Sequence, residues 1–155
     1  MYKRQAQADS FAIQEELAFL SVVNTPGGEI DGMLITDHAA SLKALDERES
    51  LYSRVTLNAE NLHLHDDSIE LKDRFLYVAN EIPIETVPIE SKILRSYLDV
   101  VMQGYLNHFG EDGLKRFFAT TLNFDLDILE DRKEPLYPRA TTLSAEEKTL
   151  FAKFR

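Results

Sequence analysis

The chain predicts an α+β fold: an antiparallel twisted sheet with helices packed mainly on one face, plus a helical C-terminal extension. Three patterns lead there. Between 54 and 80, apolar residues alternate with polar ones, the two-residue period of half-buried strands. Between 91 and 109 they recur at three- and four-residue steps, the period of an amphipathic helix. Thr25-Pro26-Gly27-Gly28 combines proline and glycine, the residues of a tight turn, between two apolar runs.

Residues 1–10 are polar. In 11–24 two periods compete: Ile13, Leu17 and Leu20 fit a helix, while Leu17, Phe19, Ser21 and Val23 fit one face of a strand. The turn at 25–28 favours a hairpin of about 17–24 with 29–36, preceded by a short helix. Thr36 or Asp37 can cap a helix over 38–50, with Leu42, Leu45 and Tyr52 on one stripe and Lys43, Asp46, Glu47 and Glu49 facing water.

Val55, Leu57 and Ala59, then Leu62 and Leu64, then Ile69 and Leu71 give the alternation of a meander with one wet face. An extra hairpin falls at 61–71. Phe75-Leu76-Tyr77-Val78 is continuous enough for a more buried strand, and Pro83 and Pro88 end the sheet because proline cannot donate to a ladder. Ser91 can cap the long helix 91–109, which carries Ile93, Leu94, Tyr97, Leu98, Val101, Met102, Tyr105 and Phe109. Gly110 and Gly113 are stop signals before a helix over about 112–122. Phe124, Leu126 and Ile128 suggest a short strand or arm. Asp131 to Thr142, with Pro135 and Pro138, reads as a linker. Ser144 and Glu147 match a capping box and open a last helix with Leu150, Phe151 and Phe154. The expected division is one α+β domain over 1–130, with 131–155 as linker and C-terminal helix folded back on it.

Bulk properties narrow the function. A length of 155 residues suits one domain. Without cysteine there is no disulfide, thiolate nucleophile or cysteine zinc site. A formal net charge of -10, from 27 acidic and 17 basic residues, repels phosphate backbones and anionic lipid. Direct nucleic-acid binding is disfavoured and a basic protein partner favoured. No apolar run approaches the roughly 18 residues of a membrane span. Asp9, Glu15 and Glu16 interrupt any signal-peptide core, so a cytoplasmic location is expected.

No catalytic or metal site stands out. His63 and His65 would share a strand face, and with Asp67 they echo an H-x-H-x-D-H metal motif, but Ser68 stands where the last histidine belongs. Polar residues on a wet face followed by an Asp66-Asp67 turn is the simpler reading. Carboxylate pairs such as Asp46/Glu47 and Asp125/Asp127 do acid–base work only if buried and mutually perturbed. The glycines match neither a phosphate loop nor a dinucleotide fingerprint. The expectation is a protein without catalytic, cofactor or metal residues.

The stretch Phe75-Leu76-Tyr77-Val78-Ala79-Asn80-Glu81-Ile82-Pro83-Ile84, followed by a loop and the helix from Ser91, resembles the strand, apolar-Pro-apolar, loop and amphipathic helix segment of class I type III secretion chaperones and YbjN-like domains. The resemblance covers about residues 10–110 and rests on element order. It implies a non-enzymatic, dimeric binder of an extended partner segment. The hairpin at 61–71 and the 45 or so residues beyond the long helix depart from that pattern. On this reading Asp46 and Glu47 form an acidic rim, while Tyr97, Val101 and Tyr105 offer apolar contact to a partner or a second copy. Two rivals stand beside it: an acidic inhibitor, immunity or DNA-mimic protein blocking a cationic site, and a small enzyme using buried carboxylates.

Overall fold

The computed structural model describes residues 2–3, 17–50, 52–64, 73–79 and 91–154. The short helix expected before residue 17, the residues His65 to Leu71 of the extra hairpin, and Asn80 to Glu90 with both sheet-ending prolines lie outside them. The architecture is α+β. Strands β1 (Tyr2–Lys3) and β2 (Ala18–Phe19) pair antiparallel. Helix α1 (Leu42–Arg48) continues a 3-10 turn at Ala39–Ser41. Strands β3 (Tyr52–Thr56) and β4 (Phe75–Ala79) form an antiparallel ribbon with Arg54 opposite Tyr77. Strand β5 (Ile93–Leu94) leads into α2 (Arg95–Thr120), and β6 (Ile128–Leu129) returns parallel to β5. Helix α3 (Ala145–Phe151) follows.

Two departures from the sequence reading have clear causes. The long helix starts at Arg95 rather than Ser91, because Ile93 and Leu94 pair with Ile128 and Leu129. Ser91, expected as the cap, is instead buried beside β5. The hairpin of 17–24 with 29–36 does not form. Its turn is present: Gly28 N–H donates to the Thr25 carbonyl at 2.9 Å, and Gly27 has a φ of 73°, as the third position of a type II turn demands after proline. The first arm, however, is already engaged. Ala18 N–H donates to the Lys92 carbonyl at 2.9 Å, and Leu20 N–H to the Tyr97 hydroxyl at 3.0 Å. A bridge from Leu17 to Lys92 runs parallel and ties β2 to β5. The 17–20 end of the arm expected to pair with 29–36 has therefore spent its backbone elsewhere.

Among the described residues the meander is also shorter than its pattern. Residues 62–64 carry alternating leucines yet take no strand; a 3-10 turn at Ala59–Asn61 precedes them. Among the described residues the one expected antiparallel sheet becomes three short pairs, one of them parallel.

The core gathers around α2. Ala18, Ile93, Leu98, Met102, Leu114, Phe117, Leu143 and Phe151 form one buried cluster. Two halves of a single helix can contribute to it because α2 breaks at Gly110, whose φ of 65° and ψ of -169° belong to a region open essentially only to glycine. The rings of Tyr105 and Phe117 then lie 4.6 Å apart, although twelve residues of straight helix would separate them by about 18 Å. Gly113 completes the bend, since a Cβ there would sit 2.1 Å from the Phe109 Cβ. Helix α3 opens with the expected capping box: Glu147 N–H donates to Ser144 Oγ at 3.1 Å, and Ser144 N–H to Glu147 Oε2 at 2.6 Å. Hydrogen bonds from Gln103 and then from the Ser144 amide hold the Glu147 carboxyl below the ordinary glutamate range.

Leu98 is 2% exposed, whereas Val101 is only half-buried. Leu98→Ala should lower stability by about 2–5 kcal/mol and Val101→Ala by clearly less. Gly110→Ala should cost about 1–3 kcal/mol through backbone strain alone. Urea midpoints of the three variants test this; an unchanged midpoint for Leu98→Ala would remove that residue from the core.

Candidate functional site

Two features stand out from the framework: a buried polar cluster at the start of α2, and an exposed apolar stretch between the 25–28 turn and α1.

The cluster is built from segments far apart in sequence. The first amides of a helix lack partners within it, and no side chain at Leu94 can cap them. Asp131 does so from the far side of β6. Its Oδ1 accepts from Ser96 N–H at 2.7 Å, and its Oδ2 accepts from Ser96 Oγ at 2.5 Å and Leu136 N–H at 2.9 Å. Beside it, Arg132 grips the buried Asp99 with two bonds of 2.7 and 2.8 Å, and Arg95 pairs with Glu130 at 2.7 Å. Asp99 in turn pushes the Arg132 guanidinium pKa above its usual value. Every carboxylate of this cluster is engaged in holding 130–136 against α2. Its chemistry is structural: Asp131 accepts three hydrogen bonds from the chain, and Asp99 is held in a two-bond ion pair by Arg132.

The exposed stretch has the opposite character. It is anchored at its N-terminal end and once in the middle, and a local bond marks its C-terminal end. On its N-terminal side Leu20 is tied to Tyr97, and Ser21 Oγ accepts from Ala79 N–H at 3.0 Å, at the end of β4. On its C-terminal side Asp37 Oδ1 accepts from His38 N–H at 2.7 Å, ahead of the 3-10 turn. In the middle the Asp31 carbonyl accepts from the Tyr105 hydroxyl at 3.1 Å, and its carboxylate pairs with Arg116 at 2.8 Å. Thus each half of the broken helix holds one end of the same residue. Around Asp31 the apolar side chains turn outward: Ile30 and Met33 are 59% exposed, Leu34 47% and Ile35 88%. Among the described residues no backbone amide from 29 to 36 donates within the chain. Glu29, Asp31 and Asp37 are interspersed with these apolar residues, and no lysine or arginine occurs from 5 to 42.

The expected partner-contact residues are divided by this geometry. Asp46 and Glu47 are exposed on α1. Asp46 accepts from the Tyr77 hydroxyl at 2.6 Å and lies 3.5 Å from Arg54, so it also ties α1 to the β3–β4 ribbon. Partial removal from water, then Asp46, raises the Tyr77 pKa. Tyr97, Val101 and Tyr105 are half-buried and pack against the core. Burial pushes both tyrosines above the ordinary phenol value, aided at Tyr105 by Asp31. Their hydroxyls hold the 20–31 segment rather than face outward. The 29–36 stretch was visible in the sequence only as a hairpin arm; its exposure follows from the prior engagement of the arm before it.

Among the described residues no three His, Asp or Glu side chains converge as a metal site, and His63 lies on the surface 3.9 Å from Glu29. His65 and Asp67 are outside the described residues. No helix of the described residues is long and apolar enough to cross a membrane. Comparison of the chain with protein-family models, with curated proteins and with solved structures gives no match.

Asp131→Ala should destabilise the protein by about 2–4 kcal/mol, because it strands the Ser96 and Leu136 amides. Asp131→Asn, which keeps one acceptor, should fall between it and wild type. Thermal melts of the pair check the order; equal stability of Asp131→Ala and wild type would deny the cap its role.

Proposed function

We propose that this protein is a non-enzymatic, chaperone-like binding module that engages another protein through the 29–36 stretch, with its acids favouring a basic partner. One observation carries the reading: four large apolar side chains, Ile30, Met33, Leu34 and Ile35, stand exposed on a segment pinned to the fold at Asp31. Monomeric proteins seldom expose contiguous apolar surface without a use for it. The anchoring matters as much as the exposure, because a prepositioned surface avoids part of the ordering cost of binding.

The rival readings fare less well on physical grounds. A DNA mimic presents free carboxylates at phosphate-like intervals. Here Asp31, Asp46, Asp99, Asp112, Glu130, Asp131 and Glu147 are each bonded to another group of the chain, which takes these seven, though not the exposed Glu47, Glu111, Asp125, Asp127, Glu134 and Glu146, out of such a row. Among the described residues the buried carboxylates are Asp99 and Asp131, and both hold the C-terminal segment. A homodimer through 29–36 would bring Glu29, Asp31 and Asp37 close to their own copies, a like-charge cost that the leading reading avoids. Dimerisation through another face is compatible with it.

A photo-reactive side chain placed at position 35 should crosslink a partner in the source cells. With that partner purified, Met33→Asp combined with Ile35→Asp should abolish binding while the melting temperature stays within a few degrees, as both sites are exposed. Raising salt from low to physiological should slow association more than it speeds dissociation. Glu47→Lys tests the α1 rim in the same assay. Binding indifferent to the 33/35 substitutions would reject this surface. A reproducible hydrolase or transferase activity lost on one carboxylate substitution would overturn the non-enzymatic reading.

A further inference from the structure

We propose that the occupant of the 29–36 stretch is an extended peptide segment that adds to it as a strand, main chain to main chain, with apolar residues at alternate positions and a lysine or arginine at each end. This rests on the binding-module reading and specifies how the module binds and what it selects.

The backbone supplies the first argument. A stretch with the residue pattern of a hairpin arm, Ile30 to Thr36, follows a well-formed turn but has no ladder, because Ala18 and Leu20 of the other arm are bonded to Lys92 and Tyr97. Among the described residues its amides donate to nothing in the chain; its one internal backbone link is the Asp31 carbonyl, taken by Tyr105. Unpaired backbone beside exposed apolar side chains is what strand addition uses: the main chain gives affinity, the alternate side chains give specificity.

Charge supplies the second. Glu29 and Asp37 flank the apolar row, and Glu29 is 85% exposed. Basic residues at the ends of the incoming strand would meet both. The same acids weigh against other occupants. A second copy of this stretch brings acid against acid. An anionic membrane surface or a nucleic acid is repelled by the segment and by the net charge of -10.

The probe is a capped heptapeptide, Lys-Val-Thr-Val-Thr-Val-Lys, titrated into the full-length isotope-labelled protein and followed by amide chemical shifts and calorimetry. Shifts should concentrate at 29–37. N-methylation of alternate peptide amides leaves the side chains in place and removes ladder bonds, so it should weaken binding about tenfold or more. Replacing both lysines with glutamate should weaken it about tenfold. A methylated peptide that binds as tightly as its parent would overturn strand addition while leaving 29–36 as a side-chain docking surface. Equal binding of the glutamate peptide would overturn the basic occupant. A protein dimer dispersed by Ile35→Asp would make a second copy the occupant and overturn the proposal. Absence of any shift at 29–37 up to millimolar peptide would overturn it as well, and the crosslinking experiment at position 35 would then decide the broader reading separately.

Discussion

The Asp131 carboxylate is the constraint around which the described structure is organised. It is buried, and burying a charge is tolerated only when hydrogen bonds replace the lost water. Those bonds come from Ser96, on the first turn of α2, and from Leu136, on the strap that leads to α3. One side chain therefore caps the principal helix, sets where β6 ends beside β5, and directs the following chain back toward the core. The Arg132–Asp99 and Arg95–Glu130 pairs on either side lock the same register. Without this clamp, Leu143 and Phe151 would have no defined route into the cluster they complete.

A second constraint follows from how strand edges are shared out. Residues 17–20 are bonded to β1, Lys92 and Tyr97, and that choice leaves the stretch after the 25–28 turn without a neighbour. The broken helix then supports it from below through Tyr105 on one half and Arg116 on the other. Core and surface are thus coupled: the bend at Gly110 that brings Phe117 to Tyr105 also brings Arg116 within reach of Asp31.

What the sequence revealed were the features written in local chemistry. The Ser144–Glu147 box, the turn at Thr25–Gly28 and the interruption at Gly110 each depend on residues within four positions of one another, and each stands where it was expected; the helix expected over 38–50 is present as the 3-10 turn at Ala39–Ser41 and α1. Features decided over long range were misread. Ile93 and Leu94 fit a helical stripe as well as a strand, and only Ile128 and Leu129 resolve the choice. Asp131 looks like a linker residue until Ser96, 35 positions away, is placed against it. For Tyr97 and Tyr105 the apolar pattern did not reveal the hydroxyl bonds to the Leu20 amide and the Asp31 carbonyl, 77 and 74 positions away. Ile30 to Ile35 carried a strand pattern, but whether that strand would find a partner depended on residues 17–20.

The parallel pairing of β5 with β6 has a consequence for how the protein is made. Ile93 cannot meet Ile128 until the whole of α2 has been synthesised, and the core lacks Phe151 until later still. A nascent chain emerging from the ribosome would carry Leu98, Met102 and Phe117 for some time before the residues that cover them exist. Contacts of such long sequence separation close slowly, because the loop entropy is lost before the contact repays it. At translation rates of about 5–20 residues per second, the interval from Leu98 to Phe151 is several seconds. Helix α3 thus acts as the keystone of an arch, and a ribosome stalled before it would display an apolar helix to the quality-control machinery of the cell.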